Sequence, residues 1–266
     1  MAANAMFVRT ALIGAALAAA TVTAAVAQPS SSRDAVVTRT LPWTGGERLV
    51  LSVPADARYV QGPNARVVIT GPRREIEHIV VDHGIIRQDR NGWSWGFFNW
   101  DWGASHAIRI VVTAPRVDDV GVSGSGHLDL GRLAQDRLDL GVSGSGLAEV
   151  SGRFKSLDLS VSGSGGARLG QVEAGQMSAT ISGSGWIRGA GAAGALELSI
   201  SGSGHADLGG LSVQDATAHL SGSGSASLSP RRSADVETSG SGSIRLLTRP
   251  PQLSMHKSGS GHISTP

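Results

Sequence analysis

Residues 138–150 read LDLGVSGSGLAEV, and this pattern dominates the chain. Its centre, Ser-Gly-Ser-Gly, occurs eight times, and successive copies begin 18 to 20 residues apart. The copies begin at Ser123, Ser143, Ser162, Ser182, Ser201, Ser221, Ser239 and Ser258. A fixed period of this length is typical of a stack of similar structural units.

Apolar and polar residues alternate on both sides of each copy, as they do in a strand with one buried face. The residues expected to point inward before the motif are Leu138, Leu140, Val142, Leu157, Leu159, Val161, Met177, Ala179, Ile181, Leu196, Leu198, Ile200, Ala216, Ala218 and Leu220. One repeat cannot bury its own apolar face, whereas stacked coils can. The sequence therefore predicts an all-β fold, a parallel β-solenoid (β-helix) of about eight regular coils of 19–20 residues.

The motif itself is expected to continue the alternation, with both glycines inward and both serines outward. Glycine allows a close approach of the backbone to another wall, and outward serines of successive coils could hydrogen-bond across strands. The predicted structural glycines are Gly124, Gly126, Gly144, Gly146, Gly163, Gly165, Gly183, Gly185, Gly202, Gly204, Gly222, Gly224, Gly240, Gly242, Gly259 and Gly261. A flexible Ser/Gly linker would not carry apolar alternation at fixed spacing.

Residues 1–27 resemble a signal peptide, because an apolar run from Ala11 to Ala20 precedes the cleavage-type triplet Ala25-Val-Ala27. An uncleaved N-terminal anchor is the alternative. We expect an exported protein, located in the periplasm or at the cell surface of a Gram-negative-type bacterium. The chain has no cysteine, which excludes disulfides and thiolate catalysis, and its net charge of +2 gives no indication of nucleic-acid binding.

The rest of the chain is expected to form three segments, the last of which begins near the first motif. We expect a flexible N-terminal segment over 28–44, degenerate β coils or a β cap over 45–120, and the regular solenoid over 121–266. In the cap, Leu49, Leu51 and Val53 alternate before Pro54. Near the other end, Lys257 falls on an inward position, where it would discourage the addition of another chain.

The densest aromatic stretch is a predicted hairpin over 91–103, which contains the sequence WSWGFFNWDW. Its candidate binding residues are Trp93, Trp95, Phe97, Phe98, Trp100 and Trp102. Two interpretations stay open at this point. The rings either pack against the solenoid, or form an exposed patch for a glycan, an envelope protein or a membrane interface.

No pattern in the sequence predicts a catalytic residue, a cofactor or a metal. Residues 189–194 match G-x-G-x-x-G, but no helix is expected after them, so a turn between coils is the better interpretation. His127, His205 and His262 each follow a motif and fall in one outward column, too many coils apart to share a metal. No acidic cluster can be assembled on one face, so we expect a non-enzymatic scaffold. The alternatives are a carbohydrate-active enzyme on a β-helix, or a structural part of an envelope assembly or stress system.

The chain resembles the bacterial head GIN domain family, known as autotransporter adhesin head domains. The resemblance is carried by the repeated V-S-G-S-G at Val122–Gly126, Val142–Gly146 and Val161–Gly165, by the lead-in Ile110–Pro115, and by the terminal Lys257–Ile263. It extends from about residue 45 to the end. It implies an extracytoplasmic β-solenoid with an adhesin-like role and transfers no catalytic residue.

Overall fold

The computed structural model describes residues 35–89 and 108–266. It is 77% strand and forms a parallel β-solenoid of about seven turns, which confirms the predicted fold class. The predicted signal peptide lies outside the described residues, as does the predicted aromatic hairpin. No helix within the described ranges has the length and apolar character needed to span a membrane.

Six long strands of 16 to 18 residues form the regular part of the solenoid. They are β9 (His127–Gly144), β10 (Leu147–Gly163), β11 (Gly166–Gly183), β12 (Trp186–Gly202), β13 (His205–Gly222) and β14 (Ser225–Gly240). Each pairs in parallel with the next, and the motifs lie in register; Ser162, for example, pairs with Ser143 and Ser182. The last coils are β15 (Ser243–Leu246), β16 (Gln252–Gly259) and β17 (His262–Ser264).

The predicted inward residues form the core, and every one that the sequence pattern selected before the motif is buried. Successive coils place them in columns. One column contains Val122, Val142, Val161, Ile181, Ile200, Leu220 and Thr238. Burying a Val, Leu or Ile side chain contributes about 1.5–3 kcal/mol. The stacked coils therefore share one continuous apolar core.

The motif forms a corner of each coil and does not continue the alternation. Its first glycine has a φ between 89° and 117° in all eight copies and is exposed or half-buried, so the expectation that both glycines point inward is wrong for the first one. The physical reason is the left-handed backbone conformation, which bends the chain there and reverses the side-chain direction. The second glycine is buried in every copy. A Cβ added to Gly146 would lie 2.6 Å from Val122 Cγ1 and 2.7 Å from the carbonyl oxygen of Gly126.

Backbone hydrogen bonds, and not serine hydroxyls, join the motifs of successive coils. The N–H of the second serine donates to the first glycine of the preceding coil, as in Ser145 to Gly124 (2.8 Å) and Ser184 to Gly163 (2.9 Å). In the eight motifs, all of which are described, no serine hydroxyl hydrogen-bonds to another. The exposed hydroxyls have water as a partner, because the backbone already completes the ladder.

The N-terminal part is a mixed β cap. Its elements are β1 (Val36–Pro42), β2 (Arg48–Ser52), β3 (Asp56–Gln61), β4 (Arg66–Pro72), helix α1 (Arg73–Ile76), β5 (Ile79–Asp82), β6 (Ile85–Gln88), β7 (Arg109–Ala114) and β8 (Asp119–Gly124). β4 pairs antiparallel with β1 on one side and with β7 on the other, and β5 pairs antiparallel with β6. β2 pairs in parallel with β8, and β3 with β9, so the cap continues directly into the regular coils.

The predicted flexible segment 28–44 is partly wrong, because residues 36–42 form β1. Its antiparallel register on β4 satisfies the backbone, and its residues alternate between exposed and half-buried positions. The Thr38 and Thr70 hydroxyls lie 3.1 Å apart across this pair. Cross-strand pairing of this kind orders a strand whose residues are at most half-buried.

Candidate functional site

The strands that leave the motifs present two outward columns of side chains, which we call the post-motif face. The first column contains His127, Leu147, Gly166, Trp186, His205, Ser225, Ser243 and His262. The second contains Asp129, Glu149, Arg168, Arg188, Asp207, Ser227, Arg245 and Ser264. The three histidines therefore share one column, as the sequence indicated. Among the described residues, no group of three or more His, Cys, Asp or Glu side chains could hold a metal ion.

Trp186 is the largest side chain on this face, and its ring lies over a glycine of the preceding coil. It pairs with Gly166 on the preceding coil. A Cβ at Gly166 would lie 2.2 Å from Trp186 Cε2, so the indole covers the backbone where a side chain is missing. The ring is half-buried in this position. A large aromatic surface thus lies flat on an otherwise polar face.

Two guanidinium groups lie over the indole. The Cζ atom of Arg188 is 4.9 Å from the ring centroid of Trp186, and that of Arg168 is 5.9 Å away. Both distances are within the range of cation–π attraction, and Trp is the best aromatic partner for it. Because the indole is fixed on the sheet, it also restricts the positions of both arginine side chains.

The two arginines differ in their other partners. Arg168 Nη1 donates to Glu149 Oε1 at 2.5 Å. Glu149 in turn lies 3.7 Å from His127 Nε2, a buried atom without a hydrogen-bond partner. Arg188 is exposed, and within residues 35–89 and 108–266 its guanidinium forms neither an ion pair nor a hydrogen bond. Among the described residues, Arg188 is therefore a cation whose donors have no partner.

On the next two coils, His205 and then Ser225 extend the polar surface beyond Trp186. His205 Nδ1 and Ser225 Oγ are 2.5 Å apart. Asp207, on the same coil as His205, pairs in register with Arg188. The ring, the Arg188 guanidinium and these polar groups thus occupy neighbouring positions on three successive coils.

A second surface is a groove formed by β10 to β13. It consists of two adjoining depressions of about 510 and 710 Å³. The smaller depression is lined by small residues, among them Gly175, Ala192 and Gly194. The larger one is lined by three acidic residues, Asp158, Glu197 and Asp215. The groove offers space for an extended ligand and a predominantly acidic lining.

A third feature is an acidic ladder, which corrects the expectation that no acidic cluster forms on one face. Asp119, Asp139 and Asp158 lie in register on three adjacent coils. The sequence shows these aspartates far apart, and only the exact register brings them together. Burial, and then the nearby charge of Asp158, raise the pKa of Asp139, while Arg137 opposes this shift. Arg137 Nη2 lies 3.8 Å from Asp139 and 3.4 Å from Asp158.

The other predicted candidates have separate outcomes. Trp93, Trp95, Phe97, Phe98, Trp100 and Trp102 all lie outside the described residues, so their role stays a prediction. Residues 189–194 belong to β12, where Gly191 has a φ of 128° and packs against the carbonyl oxygen of Val172. They bend the chain inside the continuous strand β12, so their role is structural, but the predicted turn between coils is wrong because the bend lies within one coil.

The fold and these surfaces agree with a family match. The family described as "Putative auto-transporter adhesin, head GIN domain" matches residues 47–250. The chain belongs to this family. The match includes the post-motif face through Arg245, the groove and the acidic ladder.

Solved structures share the head GIN fold. A putative lipid binding protein from Parabacteroides distasonis is 20% identical and has a TM-score of 0.77, covering 87% of this chain and 96% of its own. A putative adhesin from Parabacteroides merdae is also 20% identical, with a TM-score of 0.73 and the same coverage. A putative adhesin from P. distasonis is 19% identical, with a TM-score of 0.75, and covers 88% of this chain and 98% of its own. At these identities the likeness shows the fold alone, and no curated protein matches the sequence.

Sequence reasoning missed the arrangement around Trp186. The available signal was the position directly after each motif. Aligning the repeats there places Trp186 beside Gly166 and His205, and places Arg168 beside Arg188. An outward tryptophan next to a glycine on the preceding strand indicates a ring lying across the sheet.

Proposed function

We propose that this head GIN domain is an exported, non-enzymatic binding module with an adhesin-like role, located in the periplasm or at the cell surface. The family description supports an adhesin-like protein. The predicted signal peptide over 1–27 supports export. A solenoid suits the role, because its backbone ladder holds outward side chains at fixed spacing over many coils.

The observation that carries the proposal is the Arg188–Trp186 stack on the post-motif face. A guanidinium that is exposed, pairs with no described carboxylate and stacks on an aromatic ring contributes little to the stability of a fold. Tryptophan and arginine are also the residues most enriched where proteins bind their partners. The stack is thus better suited to binding than to holding the solenoid together.

The predicted hairpin over 91–103 is a second proposed contact. Four tryptophans within ten residues, Trp93 to Trp102, are an unusual concentration in a chain that has six in total. Exposed rings of this kind would add apolar contact area to a binding surface. Trp95→Ala combined with Trp100→Ala separates this contact from that of Trp186.

The experiment has a localisation arm and an attachment arm. Protease is added to intact cells and to cells with a permeabilised outer membrane, and the cleavage of the full chain is followed. Attachment to surfaces and to neighbouring cells is then compared among a deletion strain, the strain complemented with the wild type, and strains carrying Trp186→Ala/Arg188→Gln or Trp95→Ala/Trp100→Ala. We expect export and a loss of attachment in at least one double variant whose thermal stability is unchanged. A cytoplasmic protein, or attachment unaffected by the deletion, would overturn the proposal.

A carbohydrate-active enzyme is the second candidate, and the acidic ladder favours it. Glycoside hydrolysis generally uses two carboxyl groups, one of them with a raised pKa. Asp139, whose pKa is raised, and Asp158 have this character. Reducing-sugar release from a polysaccharide panel tests it, with Asp139→Asn as the variant. Release that depends on Asp139 would replace the non-enzymatic role.

A further inference from the structure

Arg188 has the geometry of an oxyanion receptor. A guanidinium offers five N–H donors in a planar fork, and two of them match the oxygens of a carboxylate. Stacking on Trp186 occupies a face of the guanidinium and leaves the donors at its edge. Because Arg188 is exposed and no described carboxylate neutralises it, an anion from solution can reach those donors.

Arg168 serves as an internal comparison on the same ring. It is also exposed, but its guanidinium is already paired with Glu149 at 2.5 Å. A second anion there would be repelled by the negative charge of Glu149. Of the two arginines on Trp186, Arg188 is therefore the one without a described carboxylate partner. A single oxyanion would bind there.

The groups around Arg188 determine what else the ligand must carry. Asp207 and Ser227 continue its column, while His205 lies beside Trp186 and Ser225 lies beyond His205. A carboxylate such as Asp207 accepts hydrogen bonds from hydroxyl groups and repels additional negative charge. The second column changes sign along its length, with Asp129 and Glu149 before the two arginines and Asp207 after them. An extended anionic surface, such as a membrane, would meet these carboxylates directly.

We propose that the Arg188–Trp186 stack binds an acidic glycan, namely a sugar chain whose carboxylate or sulfate group is held by Arg188 and whose hydroxyl groups contact Asp207, His205 and Ser225. The inference rests on the proposed binding role and gives it a ligand class. Sugar hydroxyls both donate and accept, which suits a surface that alternates between carboxylate, imidazole and hydroxyl groups. The edge of the indole adds an apolar surface for the C–H groups of the sugar ring.

The test is calorimetric titration of the full purified protein with three oligosaccharides of equal length. They are an oligogalacturonide, its carboxyl-reduced neutral form and a sulfated oligosaccharide. Arg188→Gln and Trp186→Ala are compared with Arg245→Gln, an exposed arginine in the same column without a tryptophan neighbour. We expect binding of an acidic form only, and at least about a tenfold increase in Kd for Arg188→Gln, because a charge-assisted pair is lost. Arg245→Gln should bind like the wild type. The oligogalacturonide and sulfated arms show which oxyanion is preferred.

Three results would overturn the inference. They are equal binding of the neutral form, unchanged binding by Arg188→Gln, or a preference for vesicles of phosphatidylglycerol in phosphatidylcholine over every oligosaccharide. If no sugar binds while attachment in cells still depends on Trp186 and Arg188, the ligand class is wrong and the adhesin-like role stands. If attachment also fails to depend on this chain, the proposed function is wrong as well.

Discussion

At the scale of single residues, the two glycines of each motif have different structural roles. The first supplies a left-handed bend and the second leaves room for the wall of the preceding coil. Both also stack closely on their counterparts; a Cβ on Gly183 would lie 2.8 Å from the carbonyl oxygen of Gly163. The motif repeats because the same bend is needed once in every coil.

Gly183→Ala should destabilise the protein strongly. The new methyl group meets backbone at a φ of 108°, so we expect a loss of at least about 2 kcal/mol in the free energy of unfolding. Gly131→Ala is the matched control, since Gly131 has a φ of 64° but nothing lies within 4 Å of its Cβ position. Urea denaturation compares the two. Equal losses would mean that backbone strain alone, and not stacking of the motifs, requires the glycine.

The pKa of Asp215 predicts a pH dependence of stability. Hydrogen bonds from Arg232 and then Ser233 lower this pKa from 3.8 to about 2. The folded state thus holds the charged form more strongly than the unfolded chain, so the stabilisation is present above the unfolded pKa and is lost as the pH falls towards 2. Asp215→Asn should lower the Tm slightly at neutral pH, and the difference from the wild type should vanish in acid. A difference between Asp215→Asn and the wild type that stays constant with pH would contradict the account.

At the scale of strands, alternation decides which side of each coil carries function. It was readable from the sequence, because inward residues such as Leu196 and Leu198 recur at every second position around a fixed motif. The bend at Gly183 was not readable, since alternation gives no sign of a change in φ. The neighbours of Trp186 and the ladder of Asp119, Asp139 and Asp158 depend on the exact register. Aligning the repeats by their motifs predicts that register, since each of these aspartates stands four residues before a motif and Trp186 directly follows one.

Truncating two adjacent side chains on β12 should therefore cost very different amounts of stability. Ile187 is fully buried, so Ile187→Ala should cost about 2–5 kcal/mol of stability. Trp186 faces outward, and Trp186→Ala should cost less than about 1 kcal/mol despite its larger volume. Chemical denaturation measures both. A Trp186→Ala variant as unstable as Ile187→Ala would show that the ring belongs to the core and not to a binding surface.

At the scale of the whole molecule, β16 carries a charge along the edge that no described strand pairs with. Lys257 pairs with Thr238 in the column that is aliphatic from Val122 to Leu220, yet Lys257 is exposed. Met255, two positions earlier, is 49% exposed. An edge of unpaired strand with apolar residues favours association, and lysine opposes it.

Lys257→Val should promote association of the protein through this edge. We expect a concentration-dependent increase in sedimentation coefficient, with little change in secondary structure. Lys155→Val is the control, because Lys155 is exposed on the side of a coil and pairs with Asp136. If the Lys257→Val variant stays monomeric at high concentration, the charge of Lys257 is not what prevents association through this edge.

The most direct test of the binding surface is NMR of the tryptophan indole N–H groups during titration with an acidic oligosaccharide. The chain has six tryptophans, of which Trp186 lies on the post-motif face, Trp43 is buried in the cap, and four belong to the predicted hairpin. Substitution of each by Phe assigns the signals. The account predicts that the Trp186 signal shifts with saturation while that of Trp43 does not move. Saturable shifts confined to the hairpin signals, with Trp186 unchanged, would contradict it.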